Sequence, residues 1–208
     1  MKADYTISVF INCPFDEDYL PIFRAIVFAV TDCGFIARCA DEVRDSSEVR
    51  IDKIVKIISE CKYGIHDISY TDLDRKNNLP RFNMPLELGM FLGAKRFGDN
   101  EQKNKVCLVM DSDPFRYHIF ISDIAGQDIK AHENDDSKAL SVVTNWLRII
   151  SGRKTIPGGT EILERYRKFN LKLPDICKEL KLTTEELGFI DYTNTVSIWL
   201  NENPPVNK

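Results

Sequence analysis

Residues 80–97 read Pro-Arg-Phe-Asn-Met-Pro-Leu-Glu-Leu-Gly-Met-Phe-Leu-Gly-Ala-Lys-Arg-Phe, and this pattern predicts a helix that is apolar on almost every side. Asn83 is suited to cap its N-terminus, and Pro85 then falls in the first turn, where proline's missing N–H costs nothing. We expect such a helix to be largely buried. Glu87 is the exception, because a buried carboxylate must be paired, hydrogen-bonded or protonated. Glu87 is therefore either a partnered structural acid or a catalytic one.

Apolar runs on both sides of this helix predict strands. Four runs rich in β-branched residues have the length and boundaries of buried strands. They span residues 5–12, 35–40, 63–68 and 105–110, with a short fifth strand at 127–132. Helical spacing recurs between them at 19–33 and 50–61, and 114–123 favours a short helix. Strands that alternate with helices indicate an α/β protein, and we predict a flavodoxin-like doubly wound five-stranded parallel sheet in the order 2-1-3-4-5.

The pattern changes from about residue 135 onward. Helices are predicted at 139–150, 160–169, 173–180 and 193–200, with Pro174 separating the second from the third. We therefore expect an α/β domain at 1–134 and a helical C-terminal extension at 135–208. The charged residues of this extension, Arg165 among them, are expected to form mostly a solvated face.

Composition excludes several function classes. The net charge of −4 over 208 residues gives no electrostatic argument for nucleic acid or an anionic membrane. No apolar run reaches the roughly 18 residues that a membrane span needs. The six cysteines are scattered without a C-x-x-C pair, so we expect reduced core cysteines, a cytoplasmic protein and no metal site. No glycine-rich phosphate loop occurs, which disfavours a Rossmann dinucleotide site and a P-loop, and no cofactor is predicted.

Candidate site residues follow from the predicted topology alone. In an open doubly wound sheet, ligands bind beyond the carboxyl ends of the strands, near the switch in strand order. The residues at those ends are Asn12, Pro14, Phe15 and Asp16 after the first strand, Asp41, Glu42 and Arg44 after the second, His66 and Asp67 after the third, and Asp111 after the fourth. The helix start adds Arg81, Asn83, Met84 and Glu87. Arg44, Arg50 and Arg81 are candidates for a bidentate phosphate contact.

Asp67 and Glu87 are expected to face one pocket. A near-neutral acid beside an ionised carboxylate is the arrangement that cleaves glycosidic bonds through an oxocarbenium-like transition state. Plainer roles remain open for both residues. Asp67 is placed to cap the following turn, and Glu87 to pair with Arg81 or Arg50. His66 alternates with Asp67, so only one of the two is expected to point along the pocket.

Three segments resemble a known group of bacterial proteins. They are Val9-Phe-Ile-Asn-Cys-Pro-Phe-Asp16, Cys61-Lys-Tyr-Gly-Ile-His-Asp-Ile-Ser69 and Phe82-Asn-Met-Pro-Leu-Glu-Leu-Gly-Met90. Together they resemble the TIR-like and nucleoside 2-deoxyribosyltransferase-like proteins over residues 5–132. In that group a glutamate at a Met-x-x-Glu-Leu-Gly helix start acts at the anomeric carbon, and Glu87 matches it. The Ser-x-x-Trp-x-x-x-Glu pattern of many TIR enzymes is absent, which favours N-glycosidic chemistry in general over NAD in particular.

The resemblance implies an enzyme and a set of roles. Glu87 is the nucleophile or the stabilising carboxylate, and Asp67 binds ribose hydroxyls or protonates the leaving base. Asn12 and Asn83 orient the sugar, and Phe15 stacks on the base. The substrate is a nucleotide, nucleoside or NAD-like molecule, the chain forms a homo-oligomer, and a place in bacterial defence or signalling is implied.

The alternative is a TIR-like module that senses a nucleotide or associates with itself without turnover. The environment of Glu87 discriminates between the two interpretations. A Glu87 that faces a pocket with no arginine neutralising it favours catalysis. A Glu87 locked in a salt bridge favours a structural or binding role.

Overall fold

The computed structural model describes residues 4–43, 45–71 and 79–204. Within them, five parallel strands form a single sheet in the order β2-β1-β3-β4-β5. The strands are β1 (Ser8–Asn12), β2 (Ile36–Arg38), β3 (Tyr63–Asp67), β4 (Val106–Asp111) and β5 (Lys130–Ala131). The strand order reverses direction between β1 and β3, so their carboxyl ends flank the switch point. The predicted flavodoxin-like α/β fold is confirmed.

Six helices pack around this sheet in the described part of the chain. They are α1 (Leu20–Asp32), α2 (Arg50–Ser59), α3 (Asn83–Phe97), α4 (Asp136–Ser151), α5 (Gly159–Glu179) and α6 (Phe189–Glu202). Because side chains alternate along a strand, Val9 and Ile11 pack in the cluster that contains α1 and α4. Phe10 points to the other face and packs with α2 and with Phe91 of α3. Two short 3₁₀ turns, at Arg116–Ile119 and Ser122–Ile124, stand where a short helix was predicted.

The C-terminal helices share their core with the sheet. Phe28 of α1 stacks on Phe169 of α5 with a centroid distance of 5.2 Å, and Trp199 of α6 lies 5.8 Å from Phe28. These rings belong to the same buried cluster as Val9 and Ile11. A helical extension is thus present, and the domain boundary at 134/135 stays a prediction.

One predicted helix break is wrong. Pro174 lies inside α5, which runs unbroken from Gly159 to Glu179. An internal proline costs a helix about 3 kcal/mol or more. The buried residues Phe169, Leu173 and Ile176 continue one apolar face across it, and this burial offsets the lost hydrogen bond.

The predicted solvated face is also wrong for Arg165. Its guanidinium is 7% exposed and binds Asp32 of α1 through two hydrogen bonds, Nε to Oδ2 at 2.8 Å and Nη2 to Oδ1 at 2.9 Å. Nη2 also donates to the carbonyl of Asn203 at 2.8 Å, and Trp199 lies under the guanidinium. Arg165 therefore joins α5 to the end of α1 and to the end of α6.

The cysteines and the helix lengths bear on the broad class of protein. All six cysteines are free, and all but Cys107 are buried. Over residues 4–43, 45–71 and 79–204, no helix is both long and apolar enough to cross a membrane. The same ranges contain no group of three or more His, Cys, Asp or Glu side chains placed to hold a metal ion.

Candidate active site

The start of α3 differs from its prediction in one detail. The helix begins at Asn83 itself, and Phe82 is the N-cap without any side-chain capping bond. The prediction that Asn83 caps the helix is wrong, since its side chain is exposed within the first turn. Pro85 does lie in the first turn, as predicted. The backbone of this turn is instead fixed from the sheet, through the side chain of Asn12.

Asn12 joins β1, β3 and α3. Its amide nitrogen donates to the carbonyl of Met84 at 2.8 Å and lies 3.1 Å from Nδ1 of His66. Because the amide nitrogen is a donor, Nδ1 accepts and the ring proton of His66 resides on Nε2. Burial lowers the pKa of His66 to about 3, so the ring is neutral at physiological pH. Asn12 therefore acts on the site by holding α3 against the sheet edge.

The buried face of α3 is narrower than the sequence predicted. Met84, Leu88 and Phe91 face the sheet, whereas Leu86 is 56% exposed and Phe97 is 87% exposed. Residues spaced three and four apart share one side of a helix, and Glu87 falls on the same side as Met84 and Leu88. Glu87 is consequently buried, with 7% of its surface exposed. The prediction of a largely buried helix is wrong for Leu86 and Phe97, which are exposed.

Among the residues that the structure describes, Glu87 is buried without a neutralising partner. In the described ranges, no cation or hydrogen-bond donor contacts its carboxylate at bonding distance. Burial raises its pKa to about 7, and the charge of Arg50 at the start of α2 opposes that shift only in part. Arg81, the other arginine considered as its partner, binds Asp16 at 2.6 Å. Glu87 is therefore close to half-ionised near neutral pH.

Asp67 is buried as well, but both oxygens of its carboxylate already have partners. Its oxygens accept from the Tyr19 hydroxyl at 2.7 Å and from the Ser69 backbone N–H at 2.9 Å. Nε2 of His132 lies 2.9 Å from Oδ2, at an angle poor for a hydrogen bond. Burial raises the pKa of Asp67, but these contacts outweigh it and leave the pKa below its usual value. Asp67 is thus held as an ion with 0% exposure.

His66 and Asp67 leave β3 on opposite faces, in keeping with strand alternation. The His66 ring packs edge-on against Phe91 of α3 at 4.9 Å, whereas Asp67 contacts Tyr19 just before α1. Both side chains are 0% exposed. Burial raises the pKa of the Cys13 thiol, in the turn after β1, and the charges of Asp67 and Glu87 add to that effect.

Asp111 lies at the carboxyl end of β4, on the same edge of the sheet as Asp67. Its Oδ1 accepts from the Ser112 backbone N–H at 2.7 Å and from Nε of Arg116 at 2.8 Å. Arg116 also donates to the carbonyls of Ile68 and Ser69, which ties the ends of β3 and β4 together. Burial raises the pKa of Asp111 above its usual value, although Arg116 opposes this.

Phe15 and Asp41 lie together on the border of a pocket of about 160 Å³. Phe15 is 43% exposed and packs edge-on against Phe23 at 5.3 Å. The rest of the lining comes from α1 and from the start of α6, namely Leu20, Phe23, Arg24, Leu187, Gly188, Phe189 and Tyr192. The sequence did not predict any contribution of the C-terminal helices to this edge.

The other predicted site residues are more dispersed. Pro14 is buried and Met84 is 6% exposed, so Met84 offers mainly its backbone carbonyl. Arg50, Arg81 and Asn83 are exposed around the starts of α2 and α3. Glu42 pairs with Arg38 at 2.6 Å, which turns it away from a ligand role. Arg44 lies outside the described residues.

Tyr19 and His132 were missed by the sequence reasoning. The same rule that selected Asp67 had a signal for His132, because that residue ends the predicted fifth strand. Tyr19 lies seven residues beyond β1 and has no comparable signal. Both residues are buried against the Asp67 carboxylate.

Comparisons of the chain with protein-family models, with curated proteins and with solved structures found no match. The resemblance to the TIR-like and deoxyribosyltransferase-like proteins therefore stays a prediction that rests on three short segments. The fold and the geometry of the sheet edge do not depend on this resemblance.

Proposed function

We propose that this protein is an enzyme that cleaves or transfers the N-glycosidic bond of a nucleotide, nucleoside or NAD-like substrate, with Glu87 acting at the anomeric carbon. One observation carries the proposal. Glu87 lies buried beside the switch point of a parallel sheet, with its pKa raised to about 7 and no cation bound to it in the described part of the chain.

A purely structural acid would be expected to have partners. Burial without pairing destabilises the ionised form, and such groups concentrate at functional sites, where the perturbed pKa is used. A carboxylate in a poorly solvated site stabilises positive charge on a ribose ring far more than it would in water. With a pKa near 7, Glu87 is available as that carboxylate at physiological pH, either as nucleophile or as electrostatic stabiliser.

Asp67 is better suited to a supporting role than to proton donation. A group whose pKa lies below its usual value does not hold a proton near neutral pH, and the carboxylate already has three partners. We propose that Asp67 positions Tyr19 and His132 and adds negative potential behind the sugar. A direct contact with a ribose hydroxyl would have to replace one of these partners.

The surrounding residues would bind the rest of the substrate. Phe15 offers an exposed ring for stacking, and Arg50 and Arg81 offer guanidinium groups for a phosphate at the edge. Arg81 would exchange its contact with Asp16 for the phosphate. No cofactor is required by this scheme. Assembly of the chain into a homo-oligomer remains part of the proposal.

A non-catalytic nucleotide-binding module is the second candidate. It is favoured by the occupied state of Asp67, because the two-carboxylate scheme then lacks its expected proton donor. In that case a nucleotide binds at the same edge and leaves it unchanged.

Chromatography distinguishes the two candidates. The wild-type chain is incubated with NAD, nucleoside monophosphates and deoxynucleosides, and release of free base is followed. We expect release from at least one compound and its loss in Glu87→Gln. Binding of a compound that is recovered intact, with no base released from any of them, would favour the module.

A further inference from the structure

A pocket beside the sheet edge is built jointly by the α/β part and the C-terminal helices. Its walls are aromatic: Phe15 lies edge-on to Phe23 at 5.3 Å, and Phe189 lies 6.0 Å from Phe23. Tyr192 completes the lining, and its hydroxyl donates to the carbonyl of Arg24 at 3.1 Å. Aromatic walls of this kind receive flat rings, through stacked or edge-on contacts.

Arg24 holds the two parts of this pocket together. Its Nη2 donates to the carbonyl of Thr184 at 2.7 Å, and its guanidinium lies 5.4 Å from the ring centre of Tyr192. The connection between α5 and α6 is thereby fixed against α1. The pocket is therefore supported by defined contacts on both sides and does not depend on one loop.

The polar lining indicates which rings fit. Asp41 lies half-buried at the border, and since a carboxylate offers about four lone-pair sites, it can accept from an N–H group in addition to the contact that it already makes. An aromatic pocket with an acceptor at its edge suits a heteroaromatic base that carries N–H donors. Nucleobases with an amino or amide edge and nicotinamide belong to this class.

The volume of the pocket fits one base without its sugar and phosphate. At about 160 Å³ the pocket is close to the roughly 150 Å³ of an engineered cavity that holds benzene. Pockets for drug-sized ligands measure about 300–1,000 Å³. A whole nucleotide is thus too large, and its sugar and phosphate would have to lie outside, along the sheet edge.

The pocket lies at the same edge of the sheet as the start of α3, which carries Glu87. Cys13 directly follows Asn12, whose side chain binds the Met84 carbonyl one turn before Glu87, and Cys39 follows β2, the strand that pairs with β1. Phe15 and Asp41 each follow one of these cysteines by two residues, a span of at most about 7 Å. A base held between Phe15 and Asp41 would therefore lie at the same sheet edge as the start of α3, and under the proposed function its attached sugar would extend towards Glu87.

We propose that this pocket is the base-binding subsite and that residues 187–192, at the start of α6, select the base. The assignment of the base as a leaving group rests on the proposed function. Binding of a free base at the pocket is a separate property, and it is measurable without any turnover.

Two glycines provide a matched pair of variants. Gly188 lines the pocket as the N-cap of α6, and Gly158 is the N-cap of α5, where an added Cβ meets nothing within 4 Å. Both have extended backbone, with φ of −74° at Gly188 and −70° at Gly158, so neither conformation requires glycine. Gly188→Leu adds bulk at the pocket, and Gly158→Leu adds the same bulk at a distant helix start.

A second pair covers the case in which Gly188→Leu fails to fold. Phe15→Ala removes one aromatic wall at a partly exposed position, and Phe97→Ala removes a ring that is 87% exposed at the other end of α3. Loss of a stacking ring weakens base binding by about tenfold.

Calorimetry with adenine, hypoxanthine, cytosine and nicotinamide tests the proposal on the full chain. We expect at least one base to bind the wild type and Glu87→Gln alike, and to bind Gly188→Leu and Phe15→Ala at least about tenfold more weakly than Gly158→Leu and Phe97→Ala. Failure of all four bases to bind, or equal affinity across the matched variants, would overturn the subsite. Base binding by a chain that releases no base from any nucleotide supports the subsite and counts against the glycosidase.

Discussion

Glu87 is the residue at which folding and the proposed function make opposite demands. Burial raises its pKa to about 7 from 4.5, so the folded chain resists ionising it. A glutamine of the same shape would remove that conflict. A buried acid that lowers stability is what the proposed catalytic role would require, since activity commonly costs stability at an active site.

The loss of stability caused by burying Glu87 depends on pH. The folded state binds the Glu87 proton more tightly than the unfolded chain does, so the stabilisation from this group is complete below about pH 4.5 and is lost as pH rises through about 7. Glu87→Gln does not titrate. Relative to wild type, we expect it to gain on the order of 2–3 kcal/mol of unfolding free energy between about pH 5 and pH 8.

Urea unfolding at several pH values measures this difference. Glu164→Gln, at an exposed position on α5, is the control and is expected to track the wild type across the range. A difference between Glu87→Gln and wild type that stays constant from pH 5 to pH 8 would contradict a buried, unpartnered carboxylate.

Asn12 is the residue that sets where Glu87 lies, because it fixes Met84 one turn earlier. Asn12→Ala leaves the Met84 carbonyl and His66 Nδ1 without their donor, and we expect it to cost about 1–3 kcal/mol of stability. Asn83→Ala is the matched control. It removes an exposed side chain that caps nothing, and it should stay within about 0.5 kcal/mol of wild type in thermal unfolding. Equal losses in the two variants would show that the sheet does not anchor α3 through Asn12.

At the scale of elements, the sequence predicted where α3 begins but did not predict which of its faces is buried. The proline in its first turn and the apolar run beyond it predicted the helix and its start to within a residue. The buried side was not predictable, because a helix with apolar residues all round has no periodicity that selects one face. The helix turned Leu86 outward and Glu87 inward. The hydrogen bond from Asn12 to the Met84 carbonyl, 72 residues away in the sequence, and the packing of Leu88 and Phe91 hold that rotation.

The partners of Asp67 illustrate a second limit. Strand alternation predicted that His66 and Asp67 diverge, and they do. What each one meets depends on residues far along the chain, Phe91 for His66 and Tyr19 and His132 for Asp67. No local pattern encodes such pairs. The sequence therefore indicated the contact of Asp67 with the following turn, which Ser69 makes, but it did not indicate the contacts with Tyr19 and His132.

A buried ion pair between Arg165 and Asp32 joins α5 to α1, in addition to the aromatic packing of the shared core. Arg165→Met would leave Asp32 charged and unpaired at 0% side-chain exposure, which typically costs about 3–5 kcal/mol. At about 2–4 °C per kcal/mol for a chain of this size, the melting temperature should fall by roughly 10 °C. Arg167→Met, two residues along the same helix at an exposed position, should change it little.

The double variant Arg165→Met with Asp32→Leu separates the buried charge from lost packing. It removes both charges, and we expect it to recover part of the loss in differential scanning calorimetry. A double variant no more stable than Arg165→Met would contradict the view that the unpaired charge dominates.

For the whole molecule, the alternation of strands and helices was sufficient to predict the sheet and its order. The right-handed crossover rule leaves few arrangements for five such units, and the observed one followed. The relation of the C-terminal helices to the sheet edge was not predictable. It depends on packing between α1 and helices more than a hundred residues later, through rings such as Phe28 and Phe169. The pocket that these helices complete was missed for the same reason.

In the proposed chemistry, the sheet edge and the C-terminal helices have different roles. The sheet edge supplies the acid and its fixed surroundings, and the C-terminal helices close a ring-sized pocket beside it. Under the proposed function an attached sugar would extend from the pocket towards Glu87. A Glu87 that plays no part in turnover would overturn the glycosidase, whereas binding of a free base would still support the subsite.

The most direct test is the rate of base release by wild type, Glu87→Gln and Glu164→Gln. It is measured at pH 8 by chromatography, on whichever compound of the panel the wild type cleaves. The account predicts that Glu164→Gln matches the wild type and that Glu87→Gln is slower by about 100-fold or more, with its fold intact by circular dichroism. A folded Glu87→Gln that releases base at the wild-type rate would contradict the central claim.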